Sequence, residues 1–380
     1  MKHLGILRIG FKLLVNDKAK FSALLIGITF AVFLMMQMTA IFAGILNRAY
    51  STVTNVNAAL WIMDPAVNVP ASPFPLPNFL EDAVRSIDGV SFAVPIYIGG
   101  AQLKLADGTY QSANIVGLDD DSLFGRPELE KGDIHDIYND DSYVVVDDTE
   151  FSKLDDPSIG STFELNDHRV VIVGIARVVS NGLNGVPTLY TTYNRAIEDI
   201  PNSRFTISYL LVQPKNADAV AGIKRQVAKL GYTALTKDEF NNRIAHFYIF
   251  QTGVGITILM MTVIAFVVGL SISGQTFYTF IIENLERFGA LKAIGAKGSE
   301  LVYMILFMAL LTALVGYGLG VGLVTLVISM ARLWIPNYAA TIVYWNLGLA
   351  FVMVLIIAGL SSYIGVRKVL KIEPFDIFRG

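Results

Sequence analysis

Glu283-Asn-Leu-Glu-Arg-Phe-Gly-Ala-Leu-Lys-Ala-Ile-Gly-Ala-Lys297 is a short, charged, helix-prone segment set between two long apolar runs. No charged residue occurs from Phe247 to Ile282 on one side, or from Leu301 to Ala331 on the other. Crossing the hydrocarbon core takes about 20 mostly apolar residues. Both runs are long enough, so the charged segment between them must lie at a membrane surface.

The rest of the chain agrees. It is 53% hydrophobic and only 16% charged, with a mean hydropathy of +0.53. That is too apolar for a soluble globular protein. Four segments qualify as spans: Phe21–Leu46, Phe250–Ile272, Leu301–Ala331 and Leu347–Val366. The first could be misread as a signal peptide, but its apolar stretch is too long for one and no Ala-x-Ala site ends it, so we expect a retained span. The region Asn47–Ala245 is mixed in polarity and long enough for a folded domain or two small ones.

Charge sets the expected orientation. Twelve basic residues against six acids occupy the N-terminal segment, the 274–300 loop and the tail, whereas Asn47–Ala245 carries sixteen basic residues against twenty-six acids. Positive loops stay in the cytoplasm. Both termini and the 283–300 helix are therefore expected inside, and the large domain outside. Lys2–Lys20 carries Leu4, Leu7, Phe11 and Leu14 at helical spacing, with Arg8, Lys12 and Lys18 elsewhere. It reads either as an amphipathic helix in the headgroup plane or as a plain positive flank of the first span, and we expect the former. The charge-free run from Phe247 exceeds one bilayer crossing by roughly ten residues, which predicts a second-span helix protruding outward.

The expected organisation is thus a cytoplasmic amphipathic helix (1–20), spans at 21–46, 246–282 with an outward extension, 301–332 and 343–366, an inserted domain at 47–245, a cytoplasmic helix at 283–300 and a tail at 367–380. The fold class is a helical membrane protein with four transmembrane helices and an α+β extracytoplasmic domain between the first and second.

The inserted domain reads as α+β. Asn78–Ile87 is a short helix closed by Asp88-Gly89. Ser91–Ile98 and Ala101–Leu118 are strand-like, with a turn at Asp107-Gly108. Asp141–Asp147 holds Val144-Val145-Val146, and Ser161–Leu165 with Arg169–Val178 forms a hairpin across Asn166-Asp167. Ser208–Gln213 is a further strand, and Asn216–Leu230 a helix with Asn216 as N-cap and Gly231 after its end. Pro65–Pro77 is a loop.

Much chemistry is missing from the sequence. There is no cysteine, no phosphate-binding G-x-x-x-x-G-K-[ST] loop and no G-x-S-x-G elbow; Gly269-Leu-Ser-Ile-Ser273 fails at its last position. His3, His135, His168 and His246 lack metal-ligand spacing, and the acidic runs 119–121, 140–141 and 155–156 lack calcium-loop spacing. No catalytic, cofactor or metal residues are assigned. No Asp, Glu, Lys, Arg or His lies within the apolar segments 21–46, 250–272, 301–331 and 347–366, which argues against an ion-coupled transporter. Energy for membrane work would then come from elsewhere, with the 283–300 helix as its inlet.

The layout resembles the FtsX/MacB superfamily of ABC permeases, the mechanotransmission or type VII group. The motifs that carry the resemblance are Glu283…Arg287-Phe-Gly-Ala-Leu291-Lys292-Ala293-Ile294-Gly295-Ala296 and the tail Arg367-Lys368…Glu373-Pro374-Phe375. Within the group the chain is most similar to the DevC type, through Leu235-Thr-Lys-Asp-Glu-Phe240 before the second span and Gln275-Thr-Phe-Tyr-Thr279 at its inner end. The resemblance implies a permease subunit without an ATPase of its own, in the bacterial inner membrane, with both termini cytoplasmic and the large domain periplasmic. Its implied partners are a cytoplasmic ABC ATPase dimer that binds the ATP and magnesium, a second copy of the chain, a periplasmic membrane-fusion protein, an outer-membrane channel and membrane lipids. No nucleic-acid partner is implied. The cargo would be lipid-linked or amphipathic. An FtsX-like regulator of a cell-wall hydrolase and a LolC/LolE-like lipoprotein-release permease are the alternatives.

On this reading Glu283, Glu286, Arg287, Leu291, Lys292, Ile294, Gly295 and Lys297 couple to the ATPase. Arg367, Lys368, Pro374 and Phe375 belong to the cytoplasmic tail. Gly316, Gly318, Gly320 and Gly322 in the third span let helices approach closely, either within one bundle or between two copies.

Overall fold

A computed structural model describes residues 2–178, 182–183, 185–200, 207–335 and 337–371, with the backbone alone for the first three of them. In chain order its first half holds α1 (Lys2–Asn16), α2 (Lys18–Ala49), α3 (Ser51–Val56), β1 (Leu60–Met63), α4 (Phe79–Arg85), β2 (Val90–Lys104), β3 (Tyr110–Leu118), β4 (Glu128–Gly132), β5 (Ser142–Val146), β6 (Thr162–Leu165) and β7 (His168–Arg177). The second half holds β8 (Thr188–Thr192), α5 (Tyr193–Asp199), β9 (Tyr209–Pro214), α6 (Ala219–Lys229), β10 (Thr233–Thr236), α7 (Lys237–His246), α8 (Val254–Glu283), α9 (Leu285–Ala293), α10 (Gly298–Trp334) and α11 (Tyr344–Leu370). Two compact units result: Met1–Gly44 with Val254–Gly380, and Ile45–Gly253.

The first unit contains four helices long and apolar enough to cross a membrane: α2, α8, α10 and α11, of 32, 30, 37 and 27 residues. Helices suit such sequences because every backbone group is satisfied within the segment. Small residues set their packing. A Cβ built on Gly269 of α8 would lie 2.3 Å from Ala31 Cβ of α2, and one on Gly10 of α1 would lie 2.6 Å from Met304 Cγ of α10. Tyr317 of α10 donates to Leu347 O of α11 at 3.1 Å. Four apolar spans with an α+β domain between the first and second are what the sequence predicts.

Boundaries differ in four places. The predicted second span, 246–282, is not one helix: a π-helical turn covers Phe247–Gln251, and Gly253, at φ +75°, breaks the helix before α8 begins. Hydropathy is blind to φ, and a left-handed glycine inside an apolar run leaves no mark on it. The predicted 283–300 helix divides, because Glu283 closes α8, α9 covers only Leu285–Ala293, and Gly298 already opens α10. The predicted tail begins inside α11, whose last turn contains Arg367 and Lys368. The N-terminal segment is helical to Asn16, while Lys18 and Lys20 belong to α2.

The second unit is a ten-stranded mixed sheet in the order β10-β1-β9-β2-β3-β8-β5-β7-β4, with β6 bridging β2 and β7. The β3–β8 and β5–β7 pairs are parallel and the others antiparallel. Through β6, the strands β2, β3, β8, β5 and β7 close into a ring around Leu103, Ile115, Tyr143, Val145, Leu165 and Ile172. Separate clusters cover the β1–β9 region on each face.

The predicted hairpin across Asn166-Asp167 is present, both residues having positive φ as a two-residue turn requires. The predicted gap between Ile98 and Ala101 is absent: β2 runs straight through Gly99-Gly100. It pairs with β9 up to Ile96 and with β6 from Leu103, so the glycines lie where the strand changes partner. Two residues without a Cβ allow the strong coil that this change needs. The helix predicted from Asn216 starts at Ala219, and Asn216 Oδ1 still accepts from Ala219 N at 2.9 Å. Strands β1, β4, β8 and β10 and helices α5 and α7 were not anticipated.

Candidate functional site

The charged segment folds as an elbow, with each feature traceable to a residue. Asn284 ends α8: its Nδ2 donates to Phe280 O at 2.8 Å, and its Oδ1 accepts from Arg287 at 2.9 Å. Asn284 is only 4% exposed. Phe288 is fully buried, and Leu285 and Leu291 pack against the helical core, so one face of α9 is anchored. The opposite face presents Glu286, Arg287 and Ala290 to the surface.

The end of α9 explains the Leu291-Lys-Ala-Ile-Gly-Ala296 motif. Ala296 N donates to Leu291 O at 3.0 Å and Gly295 N to Lys292 O at 3.1 Å. Gly295 has φ +104°. This is a Schellman cap, which needs a residue free to adopt left-handed φ and an apolar contact between the flanking positions. Leu291 and Ala296 both lie against the same core. The cap leaves Ile294 pointing outward at 85% exposure. Lys297 then precedes α10, its N–H donating to Glu300 Oε2 at 2.9 Å.

Three of the expected coupling residues, Glu283, Arg287 and Lys292, are engaged within the unit. Glu283 pairs with Lys20 of α2, which also binds Asp17 at 2.9 Å. The Lys20 hydrogen bond holds the Asp17 carboxyl below the usual carboxylate range, and the charge of Arg287 adds to this. Arg287 itself is tied to Asn284. Glu283 and Arg287 therefore brace the elbow against the start of the first span. Glu286, Ile294, Gly295 and Lys297 are exposed, whereas Leu291 is an anchor. Lys292, half-buried, reaches Leu370 O at 3.3 Å. Arg367 stacks on Tyr363 at 5.7 Å and, with Lys368, is exposed at the end of α11. Pro374 and Phe375 lie outside the described residues. Asp17, Lys20 and Asn284 were not foreseen. The Asn284-x-x-Arg287 spacing is a local signal that could have revealed one of them, but a pair 263 residues apart leaves none.

The glycines of α10 fall on two faces. Built Cβ atoms on Gly316 and Gly320 would lie 2.6 Å from side-chain carbons of Ile28 and Val32 of α2. Around Gly318 and Gly322 nothing lies within 4 Å among the described residues. The first pair is thus used inside the bundle, and only the second is open to another copy. Gly320→Leu should cost at least about 1–3 kcal/mol by overpacking. Gly318→Leu should leave the melting temperature of the purified protein unchanged, and equal losses in both would contradict the two-face assignment.

The surface of the elbow carries charges of both signs around one large exposed apolar side chain, Ile294. Two family descriptions match the sequence: MacB-like periplasmic core domain over residues 22–230 and FtsX-like permease C-terminal over residues 247–374. The macrolide export ATP-binding/permease protein MacB of Neisseria meningitidis is 24% identical over 314 residues, covering 76% of this chain and 46% of that protein. The hemin transport system permease protein HrtB of Staphylococcus haemolyticus is 27% identical over 121 residues, covering 32% of this chain and 34% of that protein. The chain spans less than half the length of these relatives. Among solved structures, the periplasmic region of MacB from Actinobacillus actinomycetemcomitans matches 50% of this chain and 94% of that one, at 12% identity and a TM-score of 0.38. The extracellular domain of the noncanonic ABC-type transporter YknZ from Gram-positive bacteria matches 47% and 99%, at 14% identity and a TM-score of 0.37. Those scores are too low to add to the sequence match, which alone covers more than half of the residues: the chain belongs to the MacB-like periplasmic core domain family and carries an FtsX-like permease C-terminal region.

Proposed function

We propose that this chain is the permease subunit of an ATP-driven ABC exporter of the DevC type. An ATPase dimer supplied outside these residues grips the α9 elbow on the cytoplasmic side of the bacterial inner membrane. The permease works as a pair of copies, and the sheet unit faces the periplasm. There a membrane-fusion protein and an outer-membrane channel complete a route for lipid-linked or amphipathic cargo. One observation carries the docking part: an isoleucine held 85% exposed by a capped, core-anchored helix on an otherwise charged surface.

We place the transmitting element in α2 rather than in the second span, whose helix restarts after Gly253. Helix α2 is unbroken from Lys18 to Ala49, and its first turn is held to the elbow by the Lys20–Glu283 pair. A push on α9 therefore passes into α2.

Affinity purification of the tagged chain from native membranes in mild detergent tests the reading. The expected result is an ATP-hydrolysing partner recovered in equal numbers with the permease. A permease recovered at full yield, active in its cell and free of any nucleotide-binding polypeptide, would overturn it.

A further inference from the structure

The turn between α10 and α11 leaves its largest side chains uncovered. Trp334 is 84% exposed, Tyr344 93% and Trp345 76%, and Leu333 and Ile335 are exposed as well. Arg332, whose guanidinium donates to Ala340 O, is the one charged residue between Glu300 and Arg367. Apolar patches of this kind mark a surface that a protein or a membrane covers. The register of the helices decides between the two.

Lys20 and Glu283 form an ion pair between α2 and the last turn of α8. A charged pair stays out of hydrocarbon, so the membrane core begins beyond it. Cβ atoms built on Gly316 and Gly320 of α10 would meet Ile28 and Val32 of α2, so these two helices climb together. At 1.5 Å per residue, up α2 to Val32 and then up α10 from Gly320, Trp334 stands roughly 39 Å from the pair. On α11, Gly365 packs on Ile281, close to the pair, which puts Tyr344 and Trp345 roughly 33–35 Å away. Thr341 N donates to Ala40 O at 2.9 Å and ties the same turn to the outer part of α2. The hydrocarbon core is about 30 Å thick, and the whole bilayer about 40–45 Å with its headgroups. All three aromatic residues therefore fall past the far edge of the core and within the headgroup layer. Tryptophan and tyrosine favour that layer because the ring is apolar and its N–H or O–H is not.

We infer that the α10–α11 turn anchors the protein to a phospholipid surface. Trp334, Tyr344 and Trp345 bed in the headgroups of the leaflet opposite the Lys20–Glu283 pair, with Arg332 at the level of the phosphates. Charge at one end and aromatic rings at the other then fix the depth and tilt of α10 and α11. The inference goes beyond the export reading, because it holds for the folded chain in a bilayer with no ATPase bound.

Tryptophan fluorescence tests it, since the chain has only Trp61, Trp334 and Trp345. The full chain is placed in nanodiscs whose phospholipids carry a nitroxide on the headgroup, near the ester or near the methyl end of the acyl chain. Trp345→Phe and Trp334→Phe, each in a Trp61→Phe background, isolate one emitter at a time. The headgroup label should quench Trp334 roughly twofold more than the methyl-end label, and Trp345 should respond most to the headgroup or ester label. If Trp61→Phe does not fold, subtracting the emission of the Trp334→Phe/Trp345→Phe protein from that of the wild type gives the same reading. Quenching of Trp334 by aqueous iodide and by no lipid label would leave the turn in water. Quenching by neither would mean that a protein surface covers it. Strongest quenching by the methyl-end label would place it inside the core, and each of these three results would overturn the inference.

Discussion

Ile294→Glu is expected to abolish ATP-coupled transport while the permease remains folded and at normal abundance. The side chain is 85% exposed, so little packing is lost on substitution. A carboxylate at the C-terminus of α9 opposes the helix dipole, but at an exposed site that costs only about 0.3–1 kcal/mol. Docking is a different matter. Burying an isoleucine in a partner groove contributes about 1.5–3 kcal/mol, and glutamate forfeits that while adding a charge to desolvate. A loss of 3 kcal/mol alone weakens association roughly 150-fold. Retention of the ATPase on the purified permease, with the rate of ATP hydrolysis, reads this directly, and Ile294→Leu should preserve both. If the glutamate variant kept the wild-type complement of ATPase, the elbow would not be the docking surface. Charge reversal at Glu283 would be a poorer probe, because it breaks the pair with Lys20 and disturbs the brace as well as any contact.

The contrast between Ile294 and Glu283 shows which features a single sequence reveals. Chemistry that acts within a few residues was legible in part. The Asn166-Asp167 turn depends on local φ and was read at the right place, whereas the Leu291…Gly295-Ala296 cap, equally local, lay inside the expected 283–300 helix. Long apolar runs gave the spans. Partners distant in the chain were not legible. Leu60 pairs with Thr236 and Lys20 with Glu283, and a four-residue strand or a lone lysine carries no trace of its mate. Hence β1 and β10 were missed, and Glu283 was read as an ATPase-coupling residue without its Lys20 partner. The α10 glycines are intermediate. Their spacing separates the 316/320 face from the 318/322 face, but only the positions of Ile28 and Val32 show which face is filled.

The second large effect is expected at Trp61 of β1, a strand buried along its whole length between β9 and β10. The indole packs edge-on to Tyr209 at 5.4 Å and tilted against Phe240 of α7 at 5.6 Å. Trp61→Ala should destabilise the sheet unit by about 3–5 kcal/mol through lost burial and a residual cavity. With domain stabilities near 5–15 kcal/mol, that is a large share of the total. Hydrogen exchange of peptides covering β1 and β9 should accelerate accordingly. Trp61→Phe should cost far less than the volume change alone suggests. The indole Nε1 is buried with no acceptor among the described residues, and an unpaired buried donor already costs about 1–3 kcal/mol. Phenylalanine keeps a ring against Tyr209 and Phe240 and removes that donor, so a net loss under about 1.5 kcal/mol is expected. Equal acceleration in the two variants would mean that the Nε1 proton is bonded after all, and that β1 is held by a polar contact as much as by aromatic packing.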